Sequence, residues 1–511
     1  MNLQSVVDTS IAVAATRSRL AKRAAIAQCF RIATVEDLPL MTHYLSGTLP
    51  QGKIGVGVSL LKAIGDTPPG AQATLQLADI DDCFDEIAGI SGKGAKTRRE
   101  QSLAQLFGRA TADEQAFLFR LLSGELRQGA LEGLMIDAMA DAFELPAADL
   151  RRAVMLSADP ASVAVAARQQ GAAGLDSFRL VPLSPVKPML AQPVDDIGGA
   201  LDAFDRCSFE VKLDGARVQI HRDGDKVRIF TRALHEVSAR LPEIVAQMTA
   251  LPDRSFIIDG EVIALRPDGR PQPFQVTMSR FGRRAAGDLE KTLPLSLFAF
   301  DCLYLNGVEL IDCSYRDRQA ALNRLLDAER IVNRLETESH SDAEAFLSAA
   351  LDAGHEGIMA KSLDSVYAAG SRGGDWLKIK PTNTFDLVVL AAEWGSGRRK
   401  GWLSNLHLGA RDSDGGFVML GKTFKGLTDA MLEWQTAKLK SLATHEESHV
   451  VYVRPELVVE IAVNEIQKSR QYPGGMALRF ARVKGYREDK SAAEADTVES
   501  VRALFHRQFG D

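Results

Sequence analysis

The sequence predicts a multidomain protein in which an all-α part, an α+β part and a β-rich part follow one another along the chain. The chain has 511 residues, and domains commonly contain about 100–200 residues, so three or four domains are expected. The hydrophobic pattern changes from helical spacing to strand alternation near residue 180, and a second break falls at Pro381. The predicted domains therefore cover residues 1–181, 182–381 and 382–511.

The composition is that of an ordinary globular protein. Hydrophobic residues make up 46% of the chain and charged residues 25%, which excludes disorder, collagen and coiled coil. No apolar run reaches the ~18 residues of a membrane span, and the N-terminus has no basic leader, so neither a membrane anchor nor secretion is expected. The five cysteines are scattered without a CxxC pair, which favours a reduced, intracellular protein over a zinc or disulfide framework.

Basic residues are clustered although the net charge is −6. Residues 93–99 contain four lysines and arginines, and residues 468–490 contain seven against two acidic residues. Such local patches on an acidic chain indicate local binding of a polyanion, with an ordinary solvated face as the alternative.

Residues 1–181 show the signals of an all-α domain. A capping box from Thr111 to Glu114 opens a helix, and Phe117, Leu118 and Leu121 follow at helical spacing. A second apolar stripe of the same period lies between residues 131 and 142.

The two later parts show mostly strand signals. Four prolines between residues 182 and 193 predict an extended linker. A hairpin is predicted around Asp223 and Gly224, buried strands at 256–265 and 295–307, and helices near 314–328 and 342–353. Beyond Pro381, strands are predicted at 385–394, 404–410, 416–424 and 452–463, with one helix near 428–441.

The chemistry centres on Lys212, which ends a predicted strand and is followed by Asp214, Gly215 and Arg217. A lysine nucleophile needs a deprotonated amine, which desolvation at a strand end and nearby cations favour. Arg217 could hold a phosphate through two hydrogen bonds. Taken alone, the same string also fits a surface hairpin with an incidental ion pair.

This string resembles motif I of the covalent nucleotidyltransferases, which include ATP-dependent DNA ligases, RNA ligases and mRNA-capping enzymes. Further motifs of that superfamily follow in the family's order. They lie at residues 231–232, 259–261, 300–307, 356–361, 376–380 (preceded by Arg372) and 478–490.

The N-terminal region distinguishes between these relatives. Residues 91–96 and 122–130 resemble the helical DNA-binding domain of cellular-type ATP-dependent DNA ligases, and the whole chain resembles most the B-type ligases of actinobacteria and related bacteria. The resemblance implies an all-α DNA-binding domain, an α+β nucleotidyltransferase domain with an ATP-grasp-like ligase core, and a β-rich OB-fold domain.

The resemblance also implies an activity. An ATP-dependent DNA ligase of this kind seals nicks in double-stranded DNA through a lysyl-AMP and a DNA-adenylate, and it requires Mg²⁺. We expect a cytoplasmic monomer that clamps around nicked duplex DNA on the nucleoid. An RNA ligase or capping-type enzyme is the first alternative, and a DNA-binding module with an inactive site is the second.

Roles can be carried over residue by residue. Lys212 would carry AMP, Glu210 would accept from the adenine amino group through its backbone or side chain, and Phe300 would stack on adenine, unless it is simply a buried strand residue. Glu261 would bind the ribose and, with Glu356, Mg²⁺.

The remaining assignments concern phosphate contacts and residues for which two roles stay open. The implied phosphate contacts are Arg217, Arg232, Arg372, Lys378 and Lys380, with Arg487 and Lys490 orienting the leaving pyrophosphate. Asp214 and Asp301 fit either structural or metal-binding roles. The chemistry requires none of His221, His235 and His407.

Overall fold

The computed structural model describes residues 1–126, 128, 132–281, 293–368, 374–380 and 383–509. Its N-terminal third is a bundle of helices around one apolar core. The predicted capping box is confirmed, because Thr111 Oγ1 accepts from the Glu114 amide at 3.3 Å and the Glu114 carboxylate accepts from the Thr111 amide at 2.8 Å. The helices are Leu3–Ala15, Arg19–Ile32, Leu38–Ser46, Val58–Ala63, Leu77–Gly89, Ala95–Arg109, Ala112–Ser123, Glu132–Phe143, Ala147–Ser157, Pro160–Gln170 and Ala172–Leu175.

The proline-rich segment contains no helix, as predicted, and it is packed against the protein. Val186 and Met189 are fully buried in it. The Val186 amide donates to Gln219 Oε1 at 2.8 Å, and the Met189 amide donates to the Tyr367 hydroxyl at 3.0 Å. Proline imposes the extended backbone, and the apolar residues between the prolines are buried against neighbouring parts of the protein.

The middle part contains two five-stranded sheets. In spatial order, the first sheet consists of Gln192–Val194, Trp376–Ile379, Gly357–Ser362, Cys207–Lys212 and Arg334–Thr337, and the second of Lys226–Thr231, Ala216–Asp223, Ser255–Ala264, Leu295–Leu305 and Val308–Glu309. The helices are Ile197–Phe204, Pro242–Thr249, Phe274–Ser279, Tyr315–Leu325 and His340–Asp352, with single 3₁₀ turns at Ser238–Arg240 and Ala328–Arg330. The predicted hairpin is present, with its turn at Gly224 and Asp225, because Asp223 pairs with Lys226.

The C-terminal part is β-rich, as predicted, and a separate apolar core fills it. Its strands are Asn383–Trp394, Leu403–Arg411, Phe417–Thr423, Ala443–Glu447, Val450–Val453, Val458–Val463, Glu465–Lys468, Met476–Arg479 and Arg482–Tyr486. Its helices are Asp429–Leu442 and Val498–Phe509, with 3₁₀ turns at Gly397–Arg399 and Ala492–Glu494. Sequence reasoning missed the strand Ala443–Glu447, the last three strands and the final helix. Among the described residues, no helix has both the length and the apolarity needed to cross a membrane.

Asp301 has a structural role in the middle part. Its carboxylate and the Arg318 guanidinium are both fully buried, and Arg318 Nε and Nη2 donate to it at 2.8 and 3.1 Å. Arg318 Nη1 also donates to the carbonyls of Cys313 and Ser365. The pair therefore joins the strand Leu295–Leu305 to the helix Tyr315–Leu325 and leaves no free carboxylate oxygen for a metal.

We expect Asp301→Ala to lower the free energy of unfolding by about 3–5 kcal/mol, since it leaves the Arg318 charge buried without its partner. Asp225→Ala is the matched control, because it breaks an exposed pair with Arg254 and should cost less than about 1 kcal/mol. Urea unfolding followed by circular dichroism measures both. Equally small losses of unfolding free energy in the two variants would contradict the structural role of the buried pair.

Candidate active site

A cavity of about 1070 Å³ lies between the two sheets of the middle part and extends to the C-terminal part. Most of the residues selected from the sequence line it together. These are Glu210, Lys212, Arg217, Arg232, Glu261, Phe300, Glu356, Lys378 and Lys380. Arg372 lies outside the described residues, and Arg487 and Lys490 lie elsewhere on the C-terminal part.

Strand register places Lys212 beside Glu356. The strand Cys207–Lys212 runs antiparallel to Gly357–Ser362, with Lys212 opposite Gly357. Lys212 Nζ lies 2.5 Å from Glu356 Oε2, and the lysine side chain is 22% exposed. Gly357 has φ +143°, and a Cβ there would come within 2.3 Å of the Ile379 carbonyl oxygen, so only glycine fits between these strands.

Glu356 also accepts from Lys380 Nζ, so one carboxylate holds two lysines. Burial opposes the charge of Glu356, but Lys212 and Lys380 outweigh it and lower the pKa of the carboxyl. Burial and the neighbouring Lys212 lower the pKa of Lys380. The arrangement keeps Glu356 ionised in a recessed, positively charged part of the cavity.

Glu261 lies in the wall opposite Lys212. Burial raises its pKa to about 7, although Lys212 and Arg217 act in the other direction. The turn after Lys212 packs tightly on this strand, since a Cβ at Gly215 would lie 2.5 Å from the Val262 carbonyl oxygen. Glu261 can therefore exchange a proton or a hydrogen bond near neutral pH.

Aromatic rings form one end of the cavity. Phe300 and Trp376 meet edge to face, with their centroids 6.1 Å apart. Lys361 Nζ lies 4.6 and 4.3 Å from these two centroids and 2.5 Å from Glu210 Oε2. The Tyr315 hydroxyl also donates to Glu210. The Glu210 carboxylate is therefore already bound by two side chains of the protein.

Sequence reasoning did not select Lys361, Trp376 or Tyr315 as site residues. Two of these lie within the motif strings that it quoted, at residues 356–361 and 376–380. Burial lowers the pKa of Lys361, against the effect of Glu210. Only the fold reveals that this lysine lies beneath the aromatic rings.

Arg217, which lines the cavity, is held by three contacts with the protein. Its Nη1 donates to the Met189 carbonyl at 2.7 Å, and its Nη2 donates to Asp259 Oδ2 at 2.6 Å and to the Tyr367 hydroxyl at 3.3 Å. The guanidinium lies over Phe300, 5.2 Å from the ring centroid. Asp259 is fully buried and lies opposite Gln219 on the neighbouring strand, diagonal to Arg217, so it holds the arginine at the cavity wall.

The C-terminal part contributes Arg479 and Phe480 to the cavity wall. Arg479 Nη1 lies 3.3 Å from Asp214 Oδ2 and also bonds to Glu465. Burial and Glu356 raise the pKa of Asp214, and Arg479 opposes this rise.

Arg487 and Lys490 bond away from the cavity, since both reach Asp386 Oδ2, at 3.0 and 2.5 Å. The structure therefore does not bring them to the site that the sequence predicted for them.

The carboxylates of the cavity fit Mg²⁺ better than a transition metal. Among the described residues, no group of three or more His, Cys, Asp or Glu side chains could hold a metal ion. Mg²⁺ is commonly bound by one or two carboxylates with substrate phosphates supplying further oxygens. Glu356 and Glu261, the two predicted ligands, both line the cavity and supply such carboxylates.

Family models of DNA ligases match segments in each of the three parts of the chain. A family model described as "ATP dependent DNA ligase domain" matches residues 188–380, "ATP dependent DNA ligase C terminal region" matches 399–490, and "DNA ligase N terminus" matches 64–140. A probable DNA ligase of Anaeromyxobacter dehalogenans (strain 2CP-1) is 53% identical over 513 residues, covering 99% of this chain and 100% of the relative. A probable DNA ligase of Mycolicibacterium gilvum is 53% identical over 511 residues with the same coverage.

The fold is also similar to a solved structure. Pmar-Lig_PreS3 superposes with a TM-score of 0.63 at 19% sequence identity, covering 94% of this chain and 99% of that one. The three-part architecture predicted from the sequence is therefore a known arrangement.

The pKa of Glu261 makes stability depend on pH. Its folded pKa of about 7 exceeds the ordinary 4.5, so between these values the folded state keeps a proton that the unfolded state has released. Stability therefore falls as pH rises through this window. Relative to Glu261→Gln, we expect the wild type to lose about 1–3 kcal/mol of unfolding free energy from pH 4.5 to 7.

Urea unfolding at several pH values measures this difference. Glu433→Gln is the control, because that glutamate is exposed on the helix Asp429–Leu442 and its removal should leave the wild-type slope unchanged. Parallel pH curves for the wild type and Glu261→Gln would show that Glu261 does not titrate in this range.

Proposed function

This chain belongs to the ATP-dependent DNA ligase family, and from that premise we propose that it seals nicks in double-stranded DNA with Lys212 as its nucleophile. One observation carries the proposal: Lys212 is ion-paired with Glu356 in a cavity that has aromatic rings at one end and cationic side chains around the lysine. An aromatic face suits adenine, and cations suit a triphosphate.

The proposed reaction has three steps. Lys212 Nζ bonds to the α-phosphorus of ATP, and the bond to the leaving pyrophosphate breaks. The AMP then moves from Lys212 to the 5′-phosphate of the nick. Finally the 3′-hydroxyl attacks that phosphate, and AMP leaves as the strands are joined.

Lys212 attacks through an unprotonated amine, so its ion pair with Glu356 must be released first. Glu356 also pairs with Lys380. The negative charge of the carboxylate therefore keeps a positive partner when Lys212 leaves its ion pair. Glu356 and Glu261 supply the oxygens that would hold Mg²⁺, and the ion would offset phosphate charge.

Recognition of the base is proposed at the aromatic end. Phe300 offers a ring face, and Trp376 and Lys361 fix its position. Because the Glu210 carboxylate is bound by Lys361 and Tyr315, the backbone of Glu210 is its better contact for the adenine amino group. Glu261 is proposed to bind the ribose hydroxyls.

The phosphates are proposed to lie near Lys212. Lys378 and Lys380 line that part of the cavity, and exposed Arg232 is placed for the phosphate of the nick. Arg372 is proposed to join them on the sequence motif alone. Arg217 is better suited to positioning the rings, since its terminal nitrogens already donate to the protein.

A nicked DNA duplex is favoured over RNA as substrate by the N-terminal part. A helical domain of that kind matches the DNA ligase N-terminal model at residues 64–140. We further propose that the enzyme is a cytoplasmic monomer that clamps around the duplex, with domains at 1–181, 182–381 and 382–511.

We expect Lys212→Arg and Lys212→Ala to fold normally but to lose self-adenylation, because arginine keeps its proton and alanine has no amine. Transfer of label from α-labelled ATP to the protein measures this step. Lys226→Arg, an exposed change in the hairpin, should be labelled normally. Labelling of either Lys212 variant would place the covalent site elsewhere.

Arg487→Ala and Lys490→Ala are expected to slow self-adenylation about ten- to a thousand-fold, or about 1.4–4 kcal/mol, because orientation of the leaving pyrophosphate is lost. Both variants should join a pre-adenylated nick at close to the normal rate, since no pyrophosphate remains in that step. Lys484→Ala, on the neighbouring exposed strand, should adenylate normally. Comparable losses in the two assays would make these residues folding or DNA contacts instead.

A further inference from the structure

A second cavity, of about 230 Å³, lies between the strand that carries Lys212 and the helix His340–Asp352. None of the residues proposed to bind ATP is among those that line it. Val211 and Leu213, the two neighbours of Lys212 in the chain, form part of its wall, and Phe346 and Ala350 face them from the helix. Val211, Leu213 and Val332 also line the nucleotide cavity, so the two cavities share part of a wall.

Its walls are mostly apolar and carry no acidic, lysine or arginine side chain, and the polar side chains among them are Asn333 and His355. An apolar cavity of about 150 Å³ in another protein binds benzene, and this one is larger. The volume and the walls therefore suit an uncharged molecule of one ring or two fused rings.

His355 provides the recessed polar side chain of this lining, whereas Asn333 is exposed. Its Nδ1 is out of contact with solvent and has no hydrogen-bond partner among the described residues. In the neutral imidazole, Nδ1 either donates or accepts, according to the tautomer. A hydroxyl group satisfies both cases, because it can donate and accept.

The cavity is open to solvent on one side. Gly269 and Asn333 belong to its lining and are both exposed. A ligand can thus enter without unfolding the helix His340–Asp352.

We propose that this cavity is a binding site for a compact, uncharged aromatic molecule with one hydroxyl group. The ring packs between Phe298 and Phe346, and the hydroxyl hydrogen-bonds to His355 Nδ1. The occupant contacts the strand of Lys212, and His355 directly precedes Glu356.

The test uses the full chain and two probes, 4-fluorophenol and 4-fluorotoluene, each followed by ¹⁹F NMR. We expect saturable binding of both to the wild type, unchanged by saturating ATP. Ala353→Leu, which fills the cavity from its lining, should weaken both at least tenfold. Ala345→Leu is the matched control, because it lies exposed on the same helix and outside the lining, and it should bind both normally.

His355→Leu separates the hydroxyl from the ring. It should weaken 4-fluorophenol about fivefold, the equivalent of one hydrogen bond, and leave 4-fluorotoluene unchanged. This variant also keeps the test decisive if circular dichroism shows that Ala353→Leu is misfolded. Displacement of the probes by ATP, normal binding to folded Ala353→Leu, or equal effects of His355→Leu on both probes would overturn the proposal.

Discussion

The carboxylate of Glu356 is the interaction on which the active site depends. Two lysines, Lys212 and Lys380, converge on it from two different strands, and without it their like charges would repel each other in a recessed space. The strand pairing that makes this possible requires glycine at 357, where a side chain would collide with the Ile379 carbonyl. Three strands of one sheet thus meet at a single acidic group.

A second buried carboxylate organises the layer behind the cavity. Asp259 accepts from Arg217, from Gln219 and from the Tyr367 hydroxyl. Arg217 then donates to the carbonyl of Met189 in the proline-rich segment. Because each buried polar group needs its partner, this network fixes the segment that leads from the helical bundle. The N-terminal part is therefore joined to the nucleotide cavity through a packed connection.

Much of the site could be predicted, because its residues occur in short strings with a fixed order along the chain. Lys212, Glu261 and Glu356 line one cavity as the strings implied. The sequence could not show that Asp259 holds Arg217, since this depends on strand register.

The fold was predictable where periodicity was strong. The helices and the long strands have clear patterns, whereas the strands Glu465–Lys468 and Met476–Arg479 are too short to show one. Proline content indicated an extended segment but not the surface against which Val186 and Met189 are buried. Local sequence determines which backbone conformation a segment prefers, whereas burial against other parts of the protein determines where the segment packs.

The last sequence motif is divided between two places in this structure. Arg479 reaches Asp214 at the cavity, while Arg487 and Lys490 bond to Asp386 in the first strand of the C-terminal part. These two cations therefore move with that part as a unit, and they can reach ATP only if the whole part is repositioned. The contact between Arg479 and Asp214 is partly exposed, and pairs of this kind contribute of the order of 1 kcal/mol or less. The role proposed for Arg487 and Lys490 in the first step therefore requires that this contact be exchanged for substrate contacts.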